Sequence, residues 1–234
     1  MSYFYLYFFL INQLSILSSE LFISSKSKTK SHKISKEIFL GDPTILTENN
    51  KYYLYGSSAG GIDSTANGFL VYESSNLKKW ERKGYALKKE DAYGESGFWA
   101  PQVFKKDGLF YMVYVANENI GLATSKSPLG PFKNKLKKKF SSEVKLIDPF
   151  IFNDNNKWYL YHTRRLNDGN EIYVVELSDN LNKFNEQTLT KCLSADELWE
   201  DNDGMNPRSV QGSSVVKYDG IYYLFYSANN FRSP

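Results

Sequence analysis

Two aspartates in matching settings are the first residues able to do chemistry. Asp42 and Asp148 each precede a proline, as Asp42-Pro43 and Asp148-Pro149, and each follows an apolar stretch, Ile38-Phe39-Leu40 and Leu146-Ile147. Counting eight residues back from the turn residues Asn50, Gly108, Asn156 and Gly220 lands on Asp42, Ala100, Asp148 and Gly212, so the two aspartates hold equivalent positions 106 residues apart. Two carboxylates converging on one axis are an acid/base pair in waiting, one removing a proton while the other stabilises or donates one. An Asp-Pro dipeptide is also a turn or strand-entry device, because proline at a strand start forfeits a donor that is not needed there. Both readings stand for the pair. Beside the equivalent Ala100-Pro101 lie Phe98 and Trp99, either an aromatic platform for the apolar face of a sugar or ordinary core.

Other chemistries are thinly supplied. Cys192 is the only cysteine and His32 and His162 the only histidines, which excludes disulfide frameworks and cysteine- or histidine-rich metal sites. His162 ends the run Trp158-Tyr159-Leu160-Tyr161 and either faces a channel or is a satisfied strand-end residue. Arg164 and Arg165 follow, as contacts for ligand hydroxyls or as strand caps. With 29 basic and 26 acidic residues the net charge is +3, too balanced for a nucleic-acid footprint. The run Lys133, Lys135, Lys137, Lys138 and Lys139 has no interleaved aromatic or arginine and reads as a solvated loop.

The elements that must position these residues are legible as a repeat. A turn pair followed by an aromatic, Tyr and Leu or Met recurs at Asn50 to Leu54, Gly108 to Met112, Asn156 to Leu160 and Gly220 to Leu224, predicting four hairpins. A second pattern, Leu with an aromatic three residues on, runs Leu77 to Trp80, Leu129 to Phe132 and Leu181 to Phe184, copies 52 residues apart. Units of about 50 residues with about four short antiparallel strands describe β-propeller blades, with a β-sandwich as the alternative. The 18 Tyr and 16 Phe suit such half-wet pleated surfaces, so the expected class is all-β.

Residues 1–36 are set apart as a leader-like or disordered segment, and 37–234 as the propeller domain. Tyr3 to Ile11 has the apolar length of an export signal, which would make the protein secreted or periplasmic, and is too short to span a bilayer. The first lysine is Lys26, so the basic start of such a signal is missing, and a mis-assigned start is the other reading.

From about Glu37 to Pro234 the sequence resembles the five-bladed β-propeller glycosidases of glycoside hydrolase family 43, relatives of α-L-arabinofuranosidases and β-xylosidases. The resemblance is carried by Gly41-Asp42-Pro43-Thr44-Ile45, Phe98-Trp99-Ala100-Pro101, Ile147-Asp148-Pro149-Phe150 and Val210 to Asn229. It implies inverting hydrolysis of arabinose- or xylose-containing polysaccharides or oligosaccharides, with Asp42 as the general base, Asp148 as the carboxylate that orients the acid and raises its pKa, and Phe98, Trp99 and Arg165 against the sugar. No cofactor is required by that resemblance. A channel calcium or other ion near His162 is a further implication, with no second ligand evident in the sequence.

Two departures qualify the match. The family's acid is a glutamate in Glu-Gly-Pro, whereas the matching segment here reads Gln211-Gly212-Ser213, and glutamine has no acidic proton to give. Upstream acids Glu197, Glu200, Asp201 and Asp203 are the substitutes to consider. The 198 residues from Glu37 to Pro234, at about 57 per unit, make about three and a half blades against roughly 280 residues for five. The expectation is a C-terminally incomplete propeller whose open edges could self-associate. The competing functional readings are a hydrolase impaired at Gln211, a non-catalytic carbohydrate-binding propeller, and a scaffold for protein partners, which the missing Gly-His and Trp-Asp punctuation disfavours.

Overall fold

Four tight turns set the register of everything else. Asn49-Asn50, Asp107-Gly108, Asn155-Asn156 and Asp219-Gly220 all have both residues at positive φ, between 48° and 77°. That is the two-residue hairpin turn whose twist matches paired strands, and Asn, Asp and Gly are the residues that tolerate it. In the computed structural model, which describes residues 38–57, 67–135, 137–140, 142–201, 204 and 208–229, these turns join β1 (Gly41–Glu48) to β2 (Lys51–Ser57), β5 (Trp99–Lys106) to β6 (Leu109–Ala116), β8 (Lys145–Asp154) to β9 (Lys157–Leu166) and β12 (Arg208–Tyr218) to β13 (Ile221–Ala228). The leader-like segment 1–36 and its export reading lie outside the described residues.

Outer strands complete the blades. The first is the antiparallel sheet β1-β2-β3-β4, with β3 (Gly68–Ser74) and β4 (Glu81–Lys88). The second is β5-β6-β7, with β7 (Asn119–Ser125) and a fourth edge reduced to the bridges Thr124↔Lys133 and Gly121↔Lys139. The third runs β8-β9-β10, with β10 (Gly169–Glu176) and the short β11 (Thr190–Leu193) on β10. The fourth is the pair β12-β13, whose first residues Arg208 and Ser209 also pair with Gly169 and Asn170 of β10 in parallel. The all-β propeller expectation holds, and the lysine run forms the second blade's outermost edge: Phe132 and Phe140 are buried, while the lysines between them face solvent. Charged residues on such an edge discourage further strand pairing.

First strands of successive blades lie side by side, β1 against β5, β5 against β8 and β8 against β12. Aromatic rings fill the space between blades. Phe69 meets Phe98 and Tyr114 edge-on at 5.7 and 5.6 Å across the first pair. Phe104 contacts Trp158 at 5.5 Å and Phe140 stacks on Phe184 at 4.9 Å across the second, and Phe152 meets Tyr222 at 6.2 Å across the third. Each such pair adds about 0.5–1.5 kcal/mol beyond the area it buries. No described helix is long and apolar enough to cross a membrane.

Candidate active site

The inner strands share a defect that makes the site. Pairing slips between Gly41 and Thr44, Trp99 and Gln102, Ile147 and Phe150, and Gln211 and Ser214, one β-bulge at the same place in every blade. The residue inside each bulge is left-handed: Asp42 at φ 44°, Ala100 at 42°, Asp148 at 51° and Gly212 at 69°. A bulge re-aims a side chain and ends regular pairing, so Pro43, Pro101 and Pro149 lose no needed donor there. Holding a non-glycine residue in this conformation costs about 1–2 kcal/mol, least for aspartate with its short polar side chain.

Two of these bulges carry carboxylates, and each is bonded toward the next blade. The Ser57 hydroxyl donates to Asp42 Oδ2, while Ser57 Oγ accepts the Ala100 N–H at 2.8 Å. Asp148 accepts the Gly212 backbone N–H, one bulge further on. Between them, Gln102 clamps the second blade to the third, donating from Nε2 to the Ile151 carbonyl at 3.0 Å and accepting the Ile151 N–H at 2.6 Å. Burial pushes the Asp148 carboxyl up to about 7, and the Asp42 carboxylate adds to the shift against a smaller opposing effect of the Gly212 N–H. The two aspartates thus share one electrostatic environment, as their sequence register predicts.

Gln211 opens the fourth bulge, half-buried and opposite Ser227. Asn170 donates from Nδ2 to Gln211 Oε1 at 3.3 Å and to Ser209 Oγ at 2.9 Å. Gly169 makes that approach feasible, because at φ 138° a Cβ would lie 2.3 Å from the Arg208 carbonyl oxygen. The upstream acids have their own partners. Glu200 is buried in a single turn of 3-10 helix (Leu198–Glu200), accepting the Glu197 N–H at 2.8 Å and the Tyr226 hydroxyl at 2.6 Å. Asp201 pairs with Arg208 at 3.1 Å, Glu197 caps the same short turn, and Asp203 lies outside the described residues.

The structure gives the surroundings of three further sequence candidates. Phe98 is fully buried edge-on against Phe69, so it is core and no sugar platform; Trp99, next in the chain, is half-buried, with Gly97 lying close under its ring. Arg165 forms an ion pair with Glu118 of the β6–β7 turn, which Lys145 shares, so its charge joins two blades. His162 is buried in the third blade, stacked on Phe184 and Tyr173 at 6.1 and 6.3 Å with Nδ1 facing the Leu160 carbonyl, and burial pushes its pKa down to about 4. An imidazole between aromatic rings does not fit calcium, which takes six to eight oxygens, and among the described residues no three His, Cys, Asp or Glu side chains cluster for a metal.

Ser57 was legible but missed: it lies fifteen residues after Asp42, as Thr163 does after Asp148. Asn170 and Glu118 had no local signal, since their partners come from other blades. Three buried polar atoms lack a partner among the described residues, Thr163 Oγ1, Arg164 Nε and Ser213 Oγ. Thr163 stands opposite Ile147 and Ser213 follows Gly212, so two of them flank the Asp148 and Gln211 bulges.

Comparison with known proteins gives a consistent picture. The model for glycosyl hydrolases family 43 matches residues 36–234. A xylosidase/arabinosidase 43A of Humicola insolens is 25% identical over 82% of this chain and 73% of its own length. An arabinoxylan arabinofuranohydrolase of Bacillus subtilis is 29% identical over 80% of this chain and 43% of its own. Among solved structures, an endo-1,4-beta-xylanase from Bacteroides thetaiotaomicron superposes with TM-score 0.75 at 40% identity, covering 83% of this chain and 65% of that one. A thermostable family-43 glycoside hydrolase gives 0.74 at 35% identity, covering 88% and 69%.

Proposed function

The chain belongs to glycosyl hydrolases family 43, and from that membership we propose that it hydrolyses glycosidic bonds in arabinose- or xylose-containing polysaccharides or oligosaccharides, with inversion at the anomeric carbon. The observation that carries this reading is the pair of in-register bulges that aim Asp42 and Asp148 from equivalent positions into one electrostatic environment. The names of the Humicola and Bacillus relatives support the sugar class.

In this mechanism Asp42 is the general base. Inversion needs a carboxylate on one face of the sugar to take a proton from water, and an acid on the other face to protonate the departing oxygen. The Ser57 hydroxyl and the Ala100 N–H fix the orientation of the Asp42 carboxylate. Asp148 is the carboxyl that sets the field around the acid position, and near neutral pH it is divided between its neutral and ionised forms. Gln211 stands at the acid position. Its Oε1 accepts from Asn170, and its amide nitrogen is its one donor group. That group can donate a hydrogen bond and cannot transfer a proton, so about 10²–10⁴-fold of acid assistance is forfeited. Aryl glycosides with good leaving groups are therefore the substrates of choice. The test is release of p-nitrophenol from arabinofuranoside and xyloside by the folded protein; no release above blank defeats the reading.

Gln211 favours one second reading, a carbohydrate-binding propeller without turnover. Calorimetry with arabino- and xylo-oligosaccharides would then show heat of binding and no product, and absence of heat would count against it.

A further inference from the structure

The residue that faces each bulge from the second strand of its blade follows the chemistry of the bulge. Ser57 stands opposite Gly41, Val115 opposite Trp99, Thr163 opposite Ile147 and Ser227 opposite Gln211, so each pairs with the residue just before Asp42, Ala100, Asp148 and Gly212 in turn. Both bulges that carry a carboxylate face a buried hydroxyl, Ser57 or Thr163, whereas the alanine bulge faces the buried Val115. In the first blade the hydroxyl completes a three-part contact: Ser57 donates to Asp42 Oδ2 and accepts the N–H of Ala100, the bulge residue of the next blade. The third blade holds the same three parts. Asp148 accepts the N–H of Gly212, again the bulge residue of the next blade, while Thr163 Oγ1 is fully buried and has no partner among the described residues. A buried hydroxyl without a partner is rare in native structures and calls for an explanation.

We infer that Thr163 is a positioning residue for Asp148, its hydroxyl donating to the ionised carboxylate as the Ser57 hydroxyl donates to Asp42. The functional weight of that contact rests on the hydrolytic reading, in which Asp148 sets the field at the acid position. An ionised carboxylate offers about four lone-pair sites, and the Gly212 N–H occupies one. Once Asp148 gives its proton to solvent it needs a further donor, and the hydroxyl in register with Ser57 is the one the repeat supplies. Ser213 Oγ is also without a partner among the described residues, but its equivalents are Pro43, Pro101 and Pro149, so the repeat gives that position no donor role. Asp42 is the charged group that acts on Asp148 from the first blade. The charges of the strands around it are engaged elsewhere: Lys145 and Arg165 pair with Glu118, Arg208 with Asp201, Lys217 with Asp154, Lys105 with Glu48 and Lys106 with Asp107. Arg164 lies over the Tyr173 ring, His162 stacks on Phe184 and Tyr173, and β6 and β7 carry no charged side chain.

Thr163→Val keeps the shape of the side chain and removes the hydroxyl, and Thr163→Ser keeps the hydroxyl; Thr163→Ala takes the place of the valine variant if a thermal melt shows that it does not fold. In the full chain carrying isotope-labelled aspartate, the pH midpoint of Asp148 is read by NMR from its side-chain carboxyl resonance, identified by its loss in Asp148→Asn. Removing a donor to the charged form raises a carboxyl's pKa. The midpoint in Thr163→Val is therefore expected about one pH unit above that of the wild type, a tenfold change in the ionisation constant, and in Thr163→Ser at the wild-type value. The same displacement should appear in the pH profile of kcat/KM for the aryl glycoside. A midpoint unmoved by valine, or moved equally by valine and serine, overturns the assignment of Thr163 and leaves the hydrolytic reading standing. If the wild type releases no p-nitrophenol, it is the hydrolytic reading that falls, and the NMR midpoints still decide whether Thr163 holds Asp148.

Discussion

Asp148→Asn should make the protein more stable at alkaline pH while leaving it unchanged in acid. An aspartate has an ordinary value of 3.8, and burial together with Asp42 pushes Asp148 up to about 7 in the folded chain. Between those values the unfolded chain gives up its proton and the native chain keeps it, so native stability falls as pH rises through that window. Moving a carboxyl across that interval corresponds to about 4 kcal/mol. Asp148 retains some solvent contact, which reduces the gain to an expected 2 kcal/mol or so. Asparagine is neutral throughout, keeps an oxygen for the Gly212 N–H, and so avoids the loss. Urea unfolding of both proteins at about pH 4 and about pH 8, extrapolated linearly, isolates the effect because all other carboxylates are common to the pair. Equal differences at the two pH values, or a variant less stable at pH 8, would refute the assignment of Asp148 as a buried carboxyl beside Asp42.

Ser57→Ala removes the hydroxyl between Asp42 and the Ala100 N–H, and should cost about 1–3 kcal/mol by denaturant unfolding together with a lower kcat on aryl glycosides. Phe98→Ala should cost about 3–5 kcal/mol as a core deletion, its ratio of oligosaccharide to aryl KM staying at the wild-type value. Arg165→Ala breaks a partly exposed pair with Glu118 and should cost no more than about 1 kcal/mol, with KM for aryl glycosides unaltered if the guanidinium bonds Glu118 and not sugar.

Much of the site could be read from sequence because two-residue turns fix register, and register carries positions from blade to blade. Asp42, Ala100, Asp148 and Gly212 were all located by counting back from such turns. The bulge that holds them was not legible, since it depends on φ, and only Gly212 advertises a left-handed residue by its type. For Phe98 and Trp99 the sequence leaves a platform and ordinary core both open; neighbours along an extended chain point to opposite sides, and here the phenylalanine points inward. The surroundings of Arg165 and His162 were not legible for another reason: Glu118 and Phe184 reach them from distant parts of the chain, and no local pattern announces an ion pair between blades. Asn170 escaped notice for the same reason, although it bonds Gln211.

We propose that Asp42 is the base and Asp148 the field-setting carboxyl, and that Gln211 leaves the acid position without an acid. The most direct test of this is kcat/KM for an aryl glycoside and for an oligosaccharide, measured in the wild type and in Gln211→Glu. The expected result is a gain of about 10²–10⁴-fold on the oligosaccharide, with a much smaller change on the aryl substrate, whose leaving group needs little protonation. Equal gains on both substrates, or none on the oligosaccharide from a folded variant, would contradict it.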